Sequence, residues 1–541
     1  MNEGMPTQSL TCSLGWLDFV VCGLLVAALL VIAYFTGRRE RDTGDFFLGG
    51  RRVPAAAACL SFVAAEISAV TILSVPGIAF NENWQYLQFF IGSAGARIAV
   101  AFLFIPIFYK FNCTTIYEFL RHRFGRETQY AGSAFFFVAR LLGSAVRLYI
   151  ASAGVGIIMG WTLEGTLLVF SIVSIAFIAF GGIKAVVWTG AYETIIFFLA
   201  GIAVIGYLLF QIQGPPLDAW QAADEAGRLS LFNVTVQAAE PGESWWETIN
   251  RFLADPKTLW AAILSTFFLN LAVFGTDQDF MQRLLTVKTR RSSQRAILGT
   301  ILVGFPLTCI YLAVGTLLFV FYRQHPSMPL PAKADEALSH FTVNVLPLGL
   351  KGLVLAAIVL ASIDSPLSSL SSSFVTDIYR PLIRRKGPES HYLWVSRVSI
   401  VGFGALLVML AYVCYQLQES VLWVALKILT VPSGSMLGVF LLGLLTKRRA
   451  NRGNVVAMIV SAAAMAILLG LGEGKKYIAG LGWDWLTGLS LEVTIGWSWL
   501  IVIGTVMTFV LGYLLGRPPP AEEPGPGERR GGEATAAEGA D

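Results

Sequence analysis

The chain has 541 residues, of which 55% are hydrophobic and only 14% charged, and its mean hydropathy is +0.66. A soluble domain carries about 25% charged residues, so this composition excludes an ordinary water-soluble protein. Six cysteines (12, 22, 59, 113, 309 and 414) are scattered without a CxxC spacing, which argues against a disulfide framework and a zinc site.

Apolar runs longer than the roughly 20 residues needed to cross a bilayer recur from Leu14 to Gly516. Thirteen membrane spans are read. In the first half they lie near 15–36, 53–80, 84–109, 129–160, 163–182, 187–212 and 257–278. In the second half they lie near 296–323, 346–380, 392–416, 419–446, 453–472 and 491–516. The first follows a short polar start (1–14) and has no small-residue cleavage site after it, so no cleaved leader is expected. The loops "GRRERDTGDFFLGGRR", "RHRFGRE", "QRLLTVKTRRSSQR", "YRPLIRRKG" and "TKRRANRG" are basic and fall on one side if thirteen helices alternate. The acidic 213–256 loop falls on the other. The positive-inside rule then puts the N-terminus outside and the C-terminus in the cytoplasm, in a multi-pass plasma (inner) membrane protein. Residues 517–541, rich in Pro, Gly and Glu, read as a disordered cytoplasmic tail.

Three spans are unusually polar. The second, "VPAAAACLSFVAAEISAVTILSVPGIAF", holds Glu66, Ser68, Thr71 and Pro76. The seventh, "LSTFFLNLAVFGTDQDFMQRLL", holds Asn270, Gly275 and Thr276. The ninth, "AAIVLASIDSPLSSLSSSFVTDIY", carries seven serines with Asp364 and Pro366. Interrupted helices at matching places in two halves point to the midplane site of an inverted-repeat transporter. Freed carbonyls and hydroxyls there supply the several oxygens that a sodium ion needs. Serines also let helices pack closely and bond back to their own backbone, and for a single serine that role competes with ion binding.

These motifs resemble the sodium/solute symporters, the family of sodium-coupled sugar, proline, sialic acid, iodide, biotin and monocarboxylate transporters. The resemblance runs nearly end to end, through "FFLGGRRVP", "FIPIFYKFNCTTIYEFLRHRFG", "GGIKAVVWTGAYET", "GTDQDFMQRLL" and "ASIDSPLSSLSSSFVTDIYRPL". It implies an all-α polytopic protein with about 13 transmembrane helices and an inverted five-plus-five, LeuT-like core, with one helix before it and two after it. Core repeats are expected at about 53–212 and 257–446 within a symporter domain of 15–516. The family's sodium site maps onto the carbonyls of Ala64, Ile67 and Ile358 and onto positions 361 and 362. Here the chain departs from the pattern: Ala361 has no hydroxyl and only Ser362 keeps one. Some members have a second sodium site that uses the aspartate of "WTD"; this chain has Gly190 there, so one sodium per cycle is expected.

Glu66, Asp364 and the adjacent Ser365 stand close to the missing hydroxyl. An intramembrane acid costs about 2.5–3.5 kcal/mol at mid-helix and is rarely idle. Either acid could complete the sodium site, act as a proton-coupling group, or sit in a structural polar network; these readings stay open. For the solute, Ser68 and Thr71 resemble the hydroxyl pattern of the sialic acid carriers, and Asn270 and Gln88 could face the same cavity. Thr71 and Leu426 stand where sugar carriers have polar groups, which disfavours a hexose. Arg147 and Lys427 are the better cationic candidates for a carboxylate, whereas Arg97 and Arg140 suit snorkelling or pairing.

The expected function is a sodium-coupled secondary active symporter importing a small organic anion or zwitterion by alternating access. Sodium is the transported cofactor, and no organic cofactor, nucleic acid or obligate protein partner is expected; the partners are a small solute and the bilayer. A proton-coupled symporter using Glu66 or Asp364 is the nearest alternative, and a transporter-like ligand sensor is the alternative of another class. No GxxxxGK[ST] motif or catalytic constellation points to ATP-driven transport or an enzyme.

Overall fold

The computed structural model describes residues 14–38, 42–159, 161–234, 244–245, 258–331, 334–363, 366–416, 430–473 and 497–518. Among these residues there is no β-strand, only two isolated bridges, Val53 with Val287 and Arg449 with Arg517. A membrane favours this, because a helix satisfies its own backbone groups where no water can.

In chain order the first half comprises α1 (Trp16–Gly37), α2 (Thr43–Leu48), α3 (Ala55–Glu66), α4 (Ala69–Asn81), α5 (Tyr86–Ala99), α6 (Tyr117–Arg123), α7 (Arg126–Met159), α8 (Leu163–Gln211) and α9 (Pro216–Glu225). The second half comprises α10 (Leu259–Thr276), α11 (Gln278–Leu285), α12 (Arg290–Gln324), α13 (Ala337–Asn344), α14 (Leu350–Ile363), α15 (Leu367–Ser373), α16 (Glu389–Gln416), α17 (Thr430–Leu445), α18 (Asn451–Glu473) and α19 (Trp497–Leu515). α5 continues through a π-helical turn into Ile105–Lys110, and α15 continues as a π-helix over Phe374–Ile383. Among the described residues, eight helices are long and apolar enough to span a bilayer, the bent pair α3–α4 makes a ninth, and four shorter apolar helices complete the series. Among the described residues each of the thirteen sequence segments contains helix, the fifth and sixth sharing the kinked α8. The outer faces carry large exposed apolar side chains, such as Trp16, Leu24, Val31 and Tyr34 along α1, as a lipid-facing surface does.

Three local features position the site. First, α3 stops at Glu66 and α4 starts at Ala69, with Ile67 and Ser68 extended between them and the two axes bent by 63°. Second, α8 carries the fifth and sixth spans and turns at Gly182, whose φ of +52° suits a residue without a Cβ. A Cβ there would also stand 2.7 Å from the Phe46 carbonyl oxygen. Third, the buried carboxylate of Asp18 on α1 accepts from the N–H groups of Gly349 (2.7 Å) and Gly352 (3.0 Å), capping the start of α14. The unpaired N–H groups and the positive end of a helix dipole favour an anion there. The first helix is thereby tied to the ninth span.

Candidate functional site

A cavity of about 50 Å³ opens where the broken second span meets the interrupted ninth. Ala64, Ala65, Ile67 and Ser68 line it from the α3–α4 break, and Ala361, Pro366 and Leu367 from the ends of α14 and α15. α7 contributes Arg140, Ser144 and Arg147, α8 contributes Ser171 and Ser174, and α16 contributes Gly404 and Leu407. The end of α3 at Glu66 leaves its last carbonyls outside the helical ladder, and the lining hydroxyls add further oxygens. The guanidiniums of Arg140 and Arg147 also border the cavity. A space of this size holds water or an ion, while clefts that enclose a drug-sized ligand run to about 300 Å³ and more.

Of the sequence candidates, Ala64, Ile67, Ser68, Ala361 and Arg147 come together around this cavity. Ile358 lies one turn before Ala361 on α14 and is buried. The side chain of Ser362 and residues Asp364, Ser365 and Lys427 lie outside the described residues.

Thr71, Gln88 and Asn270 do not line the cavity, and the structure shows where the first two are engaged. The Thr71 hydroxyl lies 3.4 Å from that of Ser68 at the start of α4. Gln88 is buried on α5, its side-chain oxygen accepting from the N–H of Asn233 at 3.3 Å. Asn270 is half-buried on α10. Helical phase separates it from the end of its own span, where Thr276 and Asp277 form the break before α11.

Glu66 is held by a salt bridge to the wholly buried Arg97. That guanidinium also donates to Ser93 and, at 2.9 Å, to Thr300, and lies 4.7 Å over the Phe274 ring. Glu66 is thereby joined, through Arg97, to a polar network that includes Ser93 and Thr300. Arg140 pairs with Asp277 (3.3 Å) and Asp279 (2.5 Å) across the break at the end of the seventh span.

Two serines of α15 bond to neighbouring helix groups, and the buried hydroxyls of Ser372 and Ser373 have no hydrogen-bond partner among the described residues. Ser371 donates to the Ser396 carbonyl (3.0 Å) and accepts from Ser399 (2.8 Å), and Ser369 bonds back to the Pro366 carbonyl (2.8 Å). Hydroxyls missed from sequence are instead Ser144, Ser171 and Ser174. The signal was present: Ser144 lies four residues after Arg140 and three before Arg147, on the same helix face.

At the second-sodium position Gly190 packs directly on α3. A Cβ there would meet Ser61 Oγ at 2.7 Å and Ser61 Cα at 3.0 Å. Ser61 Oγ accepts from the wholly buried Arg283 at 2.6 Å. A side chain at position 190 would therefore crowd α3 at Ser61.

This architecture of broken helices around a central, oxygen-lined cavity belongs to secondary transporters. The chain belongs to the sodium:solute symporter family, whose model matches residues 46–461. It is 28% identical to the sodium/sialic acid symporter of Proteus mirabilis over 83% of this chain and 89% of that one. It is 25% identical to the sodium/sialic acid symporter of Aliivibrio fischeri, over 93% of each chain. It is 27% identical to the human sodium-coupled monocarboxylate transporter 1, over 85% of this chain and 73% of that one. In structure it resembles a substrate-bound, outward-open sodium-coupled sialic acid symporter, with a TM-score of 0.78 and 25% identity over 92% of this chain and 97% of that one. The protein is accordingly a sodium-coupled symporter of small solutes with the LeuT-like, all-helical fold, and a membrane protein.

Proposed function

We propose that the protein imports an acidic solute, an acidic sugar of the sialic acid type before a simple monocarboxylate, with one sodium ion per cycle. The observation that carries this is one cavity bordered together by the α3–α4 break, Ala361 and Arg147. In this reading the carbonyls of Ala64, Ile67 and Ile358 and the Ser362 hydroxyl hold sodium at the α3–α14 contact. Asp364 and Ser365 complete the shell in place of the hydroxyl that Ala361 lacks. Sodium binding draws the two interrupted spans together and assembles the solute pocket. Arg147 presents its guanidinium fork to the solute carboxylate, a match of planar, bidentate geometry. Ser68 bonds the solute's hydroxyl or amide groups, and Thr71, Gln88, Asn270 and Lys427 act around it as the cavity opens. The solute leaves chemically unchanged. Basic loops support a cytoplasmic C-terminus.

Two of the sodium-coupled relatives are sialic acid symporters by name and one carries monocarboxylates, which supports an acidic cargo. Arg140 is engaged by two aspartates; Arg147 borders the same cavity and is the guanidinium proposed to meet the solute carboxylate.

The test is uptake into proteoliposomes of N-acetylneuraminic acid and, separately, of a short monocarboxylate, with an inward sodium gradient or a proton gradient. Sodium-driven uptake of the acidic sugar, with sodium dependence weakened by Ser362→Ala and by Asp364→Asn, is the expected result. Uptake driven only by protons, or uptake of neither acid, would overturn the reading.

A further inference from the structure

Away from the transport cavity, the π-helical end of the ninth span and α16 enclose a second groove of about 440 Å³ on the protein's outer face. Its walls are aromatic and apolar: Phe374 and Tyr379 on one side, Trp394, Val398, Gly402 and Phe403 on the other. Trp394 is 62% exposed and Val398 47% exposed. An apolar groove that faces the bilayer is a seat for a hydrocarbon chain, and π-helical distortions often mark functional places.

One end of the groove is basic. The N–H of Arg384 donates to the carbonyl of the groove residue Tyr379 (3.0 Å), and its guanidinium lies 3.4 Å from the His391 ring. That ring in turn is 2.9 Å from the Tyr379 hydroxyl. Arg385 and Lys386 follow, both exposed, and Arg397 is exposed on the face of α16 that carries Trp394. The acid nearby, Glu389, is bound by Arg380 and by Thr43. The mouth therefore presents positive charge beside an apolar slot, the complement of a molecule with an anionic head and a hydrocarbon tail. Basic pockets between membrane helices bind anionic headgroups on this principle.

We propose that this groove is a binding site for an anionic phospholipid, with one acyl chain between Trp394 and Phe374 and the phosphate on Arg384, Arg385 and Lys386. The site lies on the transport machinery, because the groove residue Ser399 donates to Ser371 of α15 at 2.8 Å. A seated chain braces α16 against the serine-rich half of the ninth span. The site is independent of the solute and of which membrane face this end occupies.

Gly402 supplies the plug for a test, since a Cβ there meets nothing within 4 Å. Thermal unfolding of the purified full chain in detergent is followed while dioleoylphosphatidylglycerol, dioleoylphosphatidylcholine or inorganic phosphate is added. The expected result is a saturable rise in Tm with phosphatidylglycerol alone, abolished in Gly402→Phe and reduced in an Arg384→Gln, Arg385→Gln, Lys386→Gln triple variant. An equal rise with phosphatidylcholine or with inorganic phosphate overturns the proposal, as does a full rise in Gly402→Phe. So does a dimer by native mass spectrometry that Gly402→Phe dissociates, which would make a second copy the occupant. Should Gly402→Phe fail to fold, brominated phosphatidylglycerol serves instead. It must quench the emission lost in Trp394→Phe, and absence of that quenching overturns the site.

Discussion

Arg140 and Arg147 share one face of α7 and border one cavity, yet opposite outcomes are expected from the same substitution. Arg147→Gln removes the proposed contact to solute, and a hydrogen bond to a charged group is worth about 1.5–3 kcal/mol. The KM for the acidic solute should therefore rise roughly 10- to 100-fold, with the sodium-induced rise in Tm retained. Arg147→Lys should recover only part, because an ammonium lacks the planar fork. Arg140→Gln instead strips a partner from two mostly buried aspartates and should cost about 3–5 kcal/mol, read as a lower Tm before any transport assay. Outside the membrane, burial raises the Glu118 carboxyl above its ordinary value, against the N–H groups of Thr114 and Thr115 that favour its charged form. A folded-state value above the unfolded one means that the native state holds the proton longer. Stability should then fall as pH rises from the unfolded carboxylate value, about 4.3, through the folded one. Glu118→Gln should flatten that slope in a Tm-against-pH series.

At the scale of elements, the polar interruptions were legible and their partners were not. Glu66, Ser68 and Pro76 mark the second span as broken in any reading of the sequence, and the break falls at Ile67–Ser68. The capping of α14 by Asp18 joins residues more than 330 positions apart, and no local periodicity encodes such a pairing. Asp18→Ala should cost about 1–3 kcal/mol, the penalty for leaving buried N–H groups unsatisfied, and should show as a lower Tm. Arg97 was legible as paired or snorkelling, but only its packing against α3 and α12 identifies Glu66 and Thr300 as the partners. Similarly, the serine density of the ninth span was visible, while its division into back-bonding, α16-facing and cavity-end parts depends on helical phase after Pro366. Gly190→Asp tests another such contact. With Ser61 Oγ already 2.7 Å from the Cβ position, the variant should lose stability and keep a sodium dependence with a Hill coefficient near one.

At the scale of the whole molecule, the number and order of spans follow from the apolar runs and basic loops, because a bilayer imposes length and charge rules that act locally. The cavity could not be read that way. It is assembled from five separate stretches of chain, and its small volume depends on how closely α7 and α16 approach the two breaks. The packing of Gly190 against Ser61 has an electrical consequence. With no carboxylate there to hold a second cation, the proposed cycle moves one sodium together with one monovalent anion, and the translocated complex carries no net charge. A transmembrane voltage supplies about 2.3 kcal/mol per 100 mV for each charge moved, and an electroneutral cycle forgoes that term. Uptake should then be indifferent to a valinomycin-imposed potential and generate no current, so that accumulation is capped by the sodium concentration ratio alone.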